Sequence, residues 1–409
     1  MKQNCSIIFL LIITVSGLNG RTSVKQDEPL KVFYDGGGSL FNYLRTEIDF
    51  VSFVRNSAEA DVQLQINSQR TGDGGREYTF FFNGFGQFAG MNDTLVTSVP
   101  GNVTDKERDD RLIRLVKLGL MFYISKTSYN KYVDIDFEGD YETETEIDNW
   151  DNWIFSIGLN SSIEAEESKK EFMWEADIDA DRIKEGSKIQ IDGNISNEFE
   201  EFEQDDGVTK SSKKQRRFGL LYVNSISDHF SAGFFTNAES KTYENIKFGF
   251  NVAPAVEYSL FPYRESIRKK LTFLYRVGYL YNNYFEETIF FKTKEDLYNH
   301  SLKIDYELNE LWGEADFYLQ LSNYLHDFKK NRVEFSSRFS FRLTGSFFFN
   351  IRASASYIND QLYLPSEEVS LEEILLNQKK LSTQYEYELK FGVRYTFGSI
   401  YNSTVNTRF

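Results

Sequence analysis

The sequence predicts a mainly β protein: a transmembrane antiparallel β-barrel of about 12 strands, preceded by a small two-layer α/β domain. Three observations carry that reading. The first is strict two-residue alternation in the last third of the chain, a pattern that repeats in strand candidates from about residue 150 onward. From Gln384 to Gly398, Tyr385, Tyr387, Leu389, Phe391, Val393, Tyr395 and Phe397 take one phase. Glu386, Glu388, Lys390, Gly392, Arg394, Thr396 and Gly398 take the other. Period two places the phases on opposite faces of a strand. A strand of about 9–11 residues with one greasy, aromatic face is what a bilayer demands, and the charged face must then line an interior. The second observation is that connections alternate. Turns at Lys184–Ser187, Ser225–Asp228, Asn309–Glu310 and Thr344–Ser346 are short. Stretches near Glu200–Lys214, Glu286–Asp296, His326–Lys330 and Leu364–Lys380 read as longer loops, the last with Val369, Leu371, Ile374 and Leu375 at helical spacing. The third is composition: 16% aromatic residues, 5 prolines and a mean hydropathy of -0.46. Barrels look polar on average because only alternate residues meet lipid. A large soluble β-sandwich does not need so many aromatic residues on one face.

In chain order, Lys2 followed by the apolar run Ser6–Val15 reads as a secretory signal over 1–20. Cys5, the single cysteine, leaves with it. The mature chain is then expected to have no disulfide and no cysteine-based metal site.

Residues 21–140 read as a separate α/β domain. Lys31–Tyr34 is a short strand. Phe41–Arg55 is a helix with Leu44, Ile48, Val51 and Val54 on one face. Asp61–Ile66 and Glu77–Asn83 are strands joined by the turn Thr71–Gly75. Asp105–Ile124 is an amphipathic helix with Leu112, Leu115, Val116 and Leu120 inward and Arg108, Arg111 and Arg114 outward, preceded by capping residues at Val103–Glu107. Tyr132–Phe137 is placed as a strand that completes the sheet.

Residues 141–409 read as the barrel. Apolar phases run over Trp153–Leu159, Phe172–Ala180, Ile189–Phe199, Phe218–Asn224, Phe230–Ala238, Phe248–Leu260, Leu271–Tyr281, Leu302–Leu308, Ala315–Leu321, Val333–Leu343, Phe347–Tyr357 and Tyr385–Phe397. Pro254 predicts a bulge or frayed pairing, since proline has no N–H for the ladder.

These alternating strands and the terminal Phe409 resemble Gram-negative outer-membrane barrels of the porin-like superfamily. That resemblance implies an outer-membrane location, contact with outer-membrane lipid, and recognition of the C-terminus by the barrel-insertion machinery. The segment Asn56–Gly84, with Ala60-Asp61-Val62 and Gly75-Arg76-Glu77-Tyr78, is similar in layout to periplasmic α/β domains of the TolB N-terminal type. It implies that the first domain lies in the periplasm.

The inward phase carries opposed charge. Glu175, Asp177, Asp179, Asp181 and Asp192 lie on early strands; Arg276 lies mid-chain; Arg338, Arg342, Arg352, Lys390 and Arg394 lie on the last strands. In a closed barrel the first and last strands meet, so acidic and basic walls become neighbours. They either impose a transverse field on a solute or fill a narrow lumen with salt bridges. The triplet Asp177, Asp179 and Asp181 lacks the glycine of a calcium loop and reads as lumen charge rather than a metal site. Asp134, Asp136 and Glu138 read likewise. Gly36–Gly38 lacks the spaced glycines and lysine of phosphate fingerprints and reads as a permissive turn. Of the 3 histidines, His229 shares a phase with Ser231, a weak nucleophile pairing, and His300 faces away from Ser301. The expectation is no catalytic residue, no cofactor and no metal. The net charge of -16 argues against a nucleic-acid partner. The expected function is a channel for small polar or charged solutes. The alternative is a non-conducting anchor whose periplasmic domain binds an envelope protein.

Overall fold

The computed structural model describes residues 28–34, 36, 38–72, 74–135, 148–204, 207–310, 312–344, 347–366, 380–395 and 397. The expected signal segment, the helix-spaced residues Val369–Leu375, and the tail with Phe409 lie outside them.

The first part of the chain forms a five-stranded sheet with helices on one face. Its elements are β1 (Lys31–Tyr34), α1 (Gly38–Glu47), β2 (Ser52–Val54), β3 (Val62–Arg70), β4 (Arg76–Gly84), β5 (Asn92–Val99) and α2 (Asp105–Ile124). The sheet order is β2-β1-β3-β4-β5. β1 pairs in parallel with β2 and β3, and β3, β4 and β5 pair antiparallel. Val32, Leu64, Phe80 and Phe82 from the strands meet Leu112, Val116 and Leu120 from α2 in one buried cluster. The Tyr123 hydroxyl lies 2.8 Å from Met91 O and 3.1 Å from Phe82 O. Burial pushes its pKa up to about 12.

α2 starts where the sequence places it because Thr104 closes a capping box with Glu107. Two other expectations change. Phe41–Arg55 is not one helix: α1 ends at Glu47 and β2 follows at Ser52. Leu44, Ile48 and Val51 are buried in one core and Val54 in a second small cluster with Phe33 and Ala60, so two separately buried pieces imitate one helical face. The described part of the expected strand Tyr132–Phe137, residues 132–135, adds no strand to the sheet; 136–137 lie outside the described residues. Ser128–Tyr132 is a 3-10 turn, and β2 and β5 form the sheet edges.

The remainder is a twelve-stranded antiparallel sheet in which every strand pairs with its neighbour in sequence. The strands are β6 (Trp153–Ala165), β7 (Lys169–Lys184), β8 (Ser187–Gln204), β9 (Gly207–Ser225), β10 (Phe230–Lys241), β11 (Ile246–Ser259), β12 (Lys269–Tyr284), β13 (Lys294–Glu310), β14 (Gly313–Tyr324), β15 (Asp327–Thr344), β16 (Phe347–Ile358) and β17 (Tyr385–Tyr395). Each expected apolar run falls on one of them. The outward phase is bare: Ile157, Leu159, Tyr387 and Phe391 are 75–82% exposed, as a lipid-facing surface would be in water. Around Pro254, the pairs Val252↔Tyr279 and Ala255↔Arg276 keep the register of β11 on β12, while Ala253 and Pro254 between them are not ladder-paired to β12. The proline therefore frays one ladder and does not shift it.

Two expected loops are strands. Glu200–Lys214 is the top of the β8–β9 hairpin, with only residues 205–206 between the strands. The acids of β8 face the lysines of β9: Lys213 Nζ lies 2.6 Å from Glu198, and Lys210 lies 3.2 Å from Glu201. Cross-strand opposite charges support a ladder that continues as polar sequence. His326–Lys330 likewise shrinks to residues 325–326 between β14 and β15. The two ends of the sheet remain distinct. One, the turn end, holds the links β7–β8, β9–β10, β11–β12, β13–β14 and β15–β16. The other, the loop end, holds 285–293 and 359–384.

Leu120 is fully buried, so Leu120→Ala should destabilise a fragment spanning 21–140 by about 2–5 kcal/mol in denaturant titration. The same fragment should unfold cooperatively. Its acid sensitivity has a stated direction. Hydrogen bonds from the Thr104 backbone and hydroxyl hold the Glu107 carboxyl below its ordinary 4.5. Lys106 and then Tyr43 hold Asp110 below 3.8. Depressed values mean that this stability is present above the ordinary values and is lost as pH falls through the lowered ones. The melting temperature should fall below about pH 4, and Glu107→Gln should flatten that dependence.

Candidate functional site

The inward face of the large sheet is the richest concentration of chemistry in the chain. Hairpin register turns its single charges into rows, because residues opposite one another on adjacent strands share a face. One row crosses β12 to β17: Lys270, Glu307, Asp316, Arg338, Arg352 and Lys390 are successive ladder partners. Lys270 Nζ lies 2.8 Å from Glu307 Oε1, and Arg338 lies 3.7 Å from Asp316. Arg338, Arg352 and Lys390 then stand side by side, an unfavourable arrangement of like charge that only water or counter-charge relieves. Lys390 takes its counter-charge from Glu388 at 2.6 Å, one step along the same face. A cavity of about 510 Å³ opens over this region, lined by Glu307, Asp316, Tyr318, Arg338, Arg352 and Ser354.

The acidic residues gather on β7 and β8. Asp179 and Asp192 are direct ladder partners. Each carboxylate has a near neighbour. Asn194 donates to Glu175 at 2.6 Å, Ser156 to Asp179 at 3.1 Å, and Gln190 to Asp181 at 2.9 Å. Arg217 lies 3.1 Å from Asp192. Asp177 stands opposite Gly158 and Asn194, and a side chain at Gly158 would run into its carboxylate. Among the described residues, no group of His, Cys, Asp and Glu is arranged to hold a metal ion.

Arg276 stands apart from both walls. Its Nε donates to Ser301 Oγ at 3.2 Å, and its guanidinium lies over the Phe235 ring at 5.0 Å. Arg342 leaves the row altogether: its guanidinium sits 4.5 Å over the ring of Phe33, in the N-terminal sheet. Arg394 lies two strands from it with Phe348 between, since both pair with Phe348.

The acidic and basic walls lie near opposite edges of the ladder. Among the described residues no ladder joins β6 to β17. The counter-charges shown, Arg217 for Asp192, Asp316 for Arg338 and Glu388 for Lys390, come from each wall's own neighbours and not from the other wall. Sequence phase alone located the named residues. It missed Lys270, Glu307, Asp316 and Arg217, whose alternation was visible but whose neighbours depend on which turn residues set the register.

The other flagged residues have local partners. His229 Nδ1 lies 2.8 Å from Ser259 O, and Ser231 Oγ lies 3.1 Å from the Tyr263 hydroxyl, so this histidine and serine do not form a pair. His300 Nδ1 meets the Tyr275 hydroxyl at 3.1 Å. A Cβ on Gly36 would collide with the Tyr34 ring, so that glycine serves close packing. Gly37 lies outside the described residues.

Both ends of the sheet are covered. At the loop end, the segment after β16 folds back over the strand tips. Asn245, in the β10–β11 link, donates to Glu286 O at 3.0 Å and to Tyr363 O at 3.1 Å, and accepts from Glu286 N–H at 2.8 Å. Ile289 N–H donates to Leu364 O at 2.9 Å. Arg332 grips Asp360 at 2.9–3.1 Å through Nε and an Nη. Leu362, Leu364, Ile246, Tyr284 and Leu297 are buried there. At the turn end sits the N-terminal sheet. Asn67 donates to Ile267 O at 3.2 Å, and the Asp151 carboxylate before β6 is held by Arg182 and Lys184 of β7.

No known family's sequence profile matches the chain, and no curated protein does. Among solved structures, the chain is similar to a NanC porin in a rhombohedral crystal form. The identity is 9%, the match covers 59% of this chain and 99% of that one, and the TM-score is 0.28. Nothing in these comparisons supports the resemblance of the N-terminal unit to the TolB N-terminal type.

Asn245→Ala would leave three backbone groups of two connections without this partner, at about 1–3 kcal/mol for each that stays dry. The loop end should then be nicked by protease within 359–384 faster than in the unaltered chain. Equal cleavage rates would mean that this knot does not hold the segment.

Proposed function

We propose that the twelve-stranded sheet closes as an outer-membrane β-barrel and serves as a channel for small polar or charged solutes. The observation that carries this reading is the wetness of the charged face. Arg338 is 55% exposed, Arg217 49% and Asp192 42%, so these groups stand in solvent and are not packed into a dry salt-bridge core. A face of full charges opposite a face of bare aromatics is stable when one meets water and the other lipid. Closing β6 onto β17 would satisfy the two free edges and bring the walls together across a polar lumen. The turn end and residues 21–150 then face the periplasm.

One observation favours the second reading, a non-conducting anchor whose periplasmic domain binds an envelope protein. Both ends are covered, and a barrel that is never uncovered passes nothing. Planar-bilayer recording separates the two. A channel gives current, and Arg338→Glu with Arg352→Glu should shift its selectivity towards cations while insertion is unchanged. Arg342 is left intact because it also touches Phe33. Silence under every condition, together with normal insertion, would support the anchor. Orientation is tested independently: Ser212→Cys should label on intact cells and Gly186→Cys should not. The reverse would invert the topology.

A further inference from the structure

The N-terminal unit has two sheet faces, and its helices cover only one of them. On β3 the other face carries Gln63, Gln65 and Asn67, opposite in phase to the core residues Val62 and Leu64. Phe33 shares that face across the ladder from Gln63. The contacts between this unit and the large sheet come from that face and from the tip of the β3–β4 hairpin. Arg342 lies over Phe33, and Asn67 donates to Ile267 O. At the hairpin tip, a Cβ built on Gly72 would stand 3.2 Å from the Cβ of Ile183. These partners belong to different links of the turn end: Ile183 precedes β7–β8, Ile267 lies in β11–β12, and Arg342 precedes β15–β16. The contacts thus reach from β7 to β15 and lie across the end of the sheet, not at one point on its rim.

The seam is also not completely filled. It encloses a cavity of about 170 Å³ between Gln65 and Asn67 on one side and Glu310, Glu314 and Phe348 on the other. Small, polar, imperfectly filled contacts between units permit relative motion, unlike large dry ones.

We propose that the N-terminal unit is a cap seated on the turn-end mouth, which blocks passage while seated and opens the lumen when it lifts. The gating half of this proposal rests on the channel reading; the seating half does not. The hairpin tip supplies the lock. Disulfide Cβ atoms lie about 3.5–4.5 Å apart, close to the Gly72–Ile183 spacing.

The test uses the protein carrying Gly72→Cys and Ile183→Cys, whose mature form is expected to hold no other thiol. Oxidation should form an intramolecular cross-link visible as a reducible gel shift. Current in planar bilayers should fall about tenfold or more on oxidation and return on reduction, as expected when a fluctuating two-state closure is pinned. Asn67→Ala, which leaves the core of the unit untouched, should raise the open fraction without any cross-link. If both thiols react with a maleimide but no disulfide forms, the cap is not seated there and the proposal falls. If the disulfide forms and the current is the same in both states, the cap does not gate, while the channel reading stands. If the cross-link forms and no variant conducts in any state, the channel reading fails and takes the gating with it.

Discussion

Register is the constraint on which the rest of this structure depends. Every charged row on the inward face exists because each hairpin fixes which residue stands opposite which. A slip of one residue in any ladder would turn the arginines of that strand outward and its phenylalanines inward. In barrels, an arginine facing mid-bilayer costs about 2–4 kcal/mol, so the register is enforced at many positions together. The turns do much of this work. Gly313, at φ 143° with a virtual Cβ 2.0 Å from Ser340 O, admits no side chain. It lets β14 start close against β15.

Sequence pattern exposed the faces well and the neighbours poorly. Period two needs only local information, so each long strand was legible, and α2 was legible to the residue because a capping box marks its start. The failures have a common cause, which is that tertiary pairing decides between elements of similar sequence. Asn92–Val99, rich in Asn, Asp, Ser and Thr, carries no strand in the sequence reading, yet it is β5 because β4 offers it a ladder. Glu200–Lys214 reads as a charged loop, yet its acids and lysines lie opposite each other once β8 and β9 pair. The rows that make up the candidate site were invisible for the same reason. Lys270 and Lys390 are far apart in sequence, and only the summed register of five hairpins aligns them.

The two ends are closed by different physics. At the loop end, Asn245 and the buried Leu362 and Leu364 knit separate connections into a small core of their own, with backbone groups satisfied by one asparagine side chain. At the turn end the contacts described are a hydrogen bond, a guanidinium over a ring and an apolar hairpin tip, with a cavity between them. The first arrangement resists opening because each broken bond strands a buried polar group. The second exchanges its bonds for water at little cost. A solute path through this molecule would therefore be regulated from the side of the N-terminal unit.

The ionic clamp on Asp151 has a consequence for assembly. Asp151 and Asn152 adopt positive φ immediately before β6, and Arg182 and Lys184 bind the Asp151 carboxylate. Among the described residues β6 is an edge strand with a ladder partner on one side, from Trp153↔Arg182 onward, so the clamp adds a second fixed point at the start of that ladder. The clamp acts as a pawl that sets where the first strand begins to zip. Lys184 and then Arg182 hold this carboxyl below its ordinary 3.8. The pawl is thus engaged above that value and releases as pH falls through the lowered one. A chain refolding in strong acid would lose its starting mark first, and misaligned first hairpins would be the characteristic error.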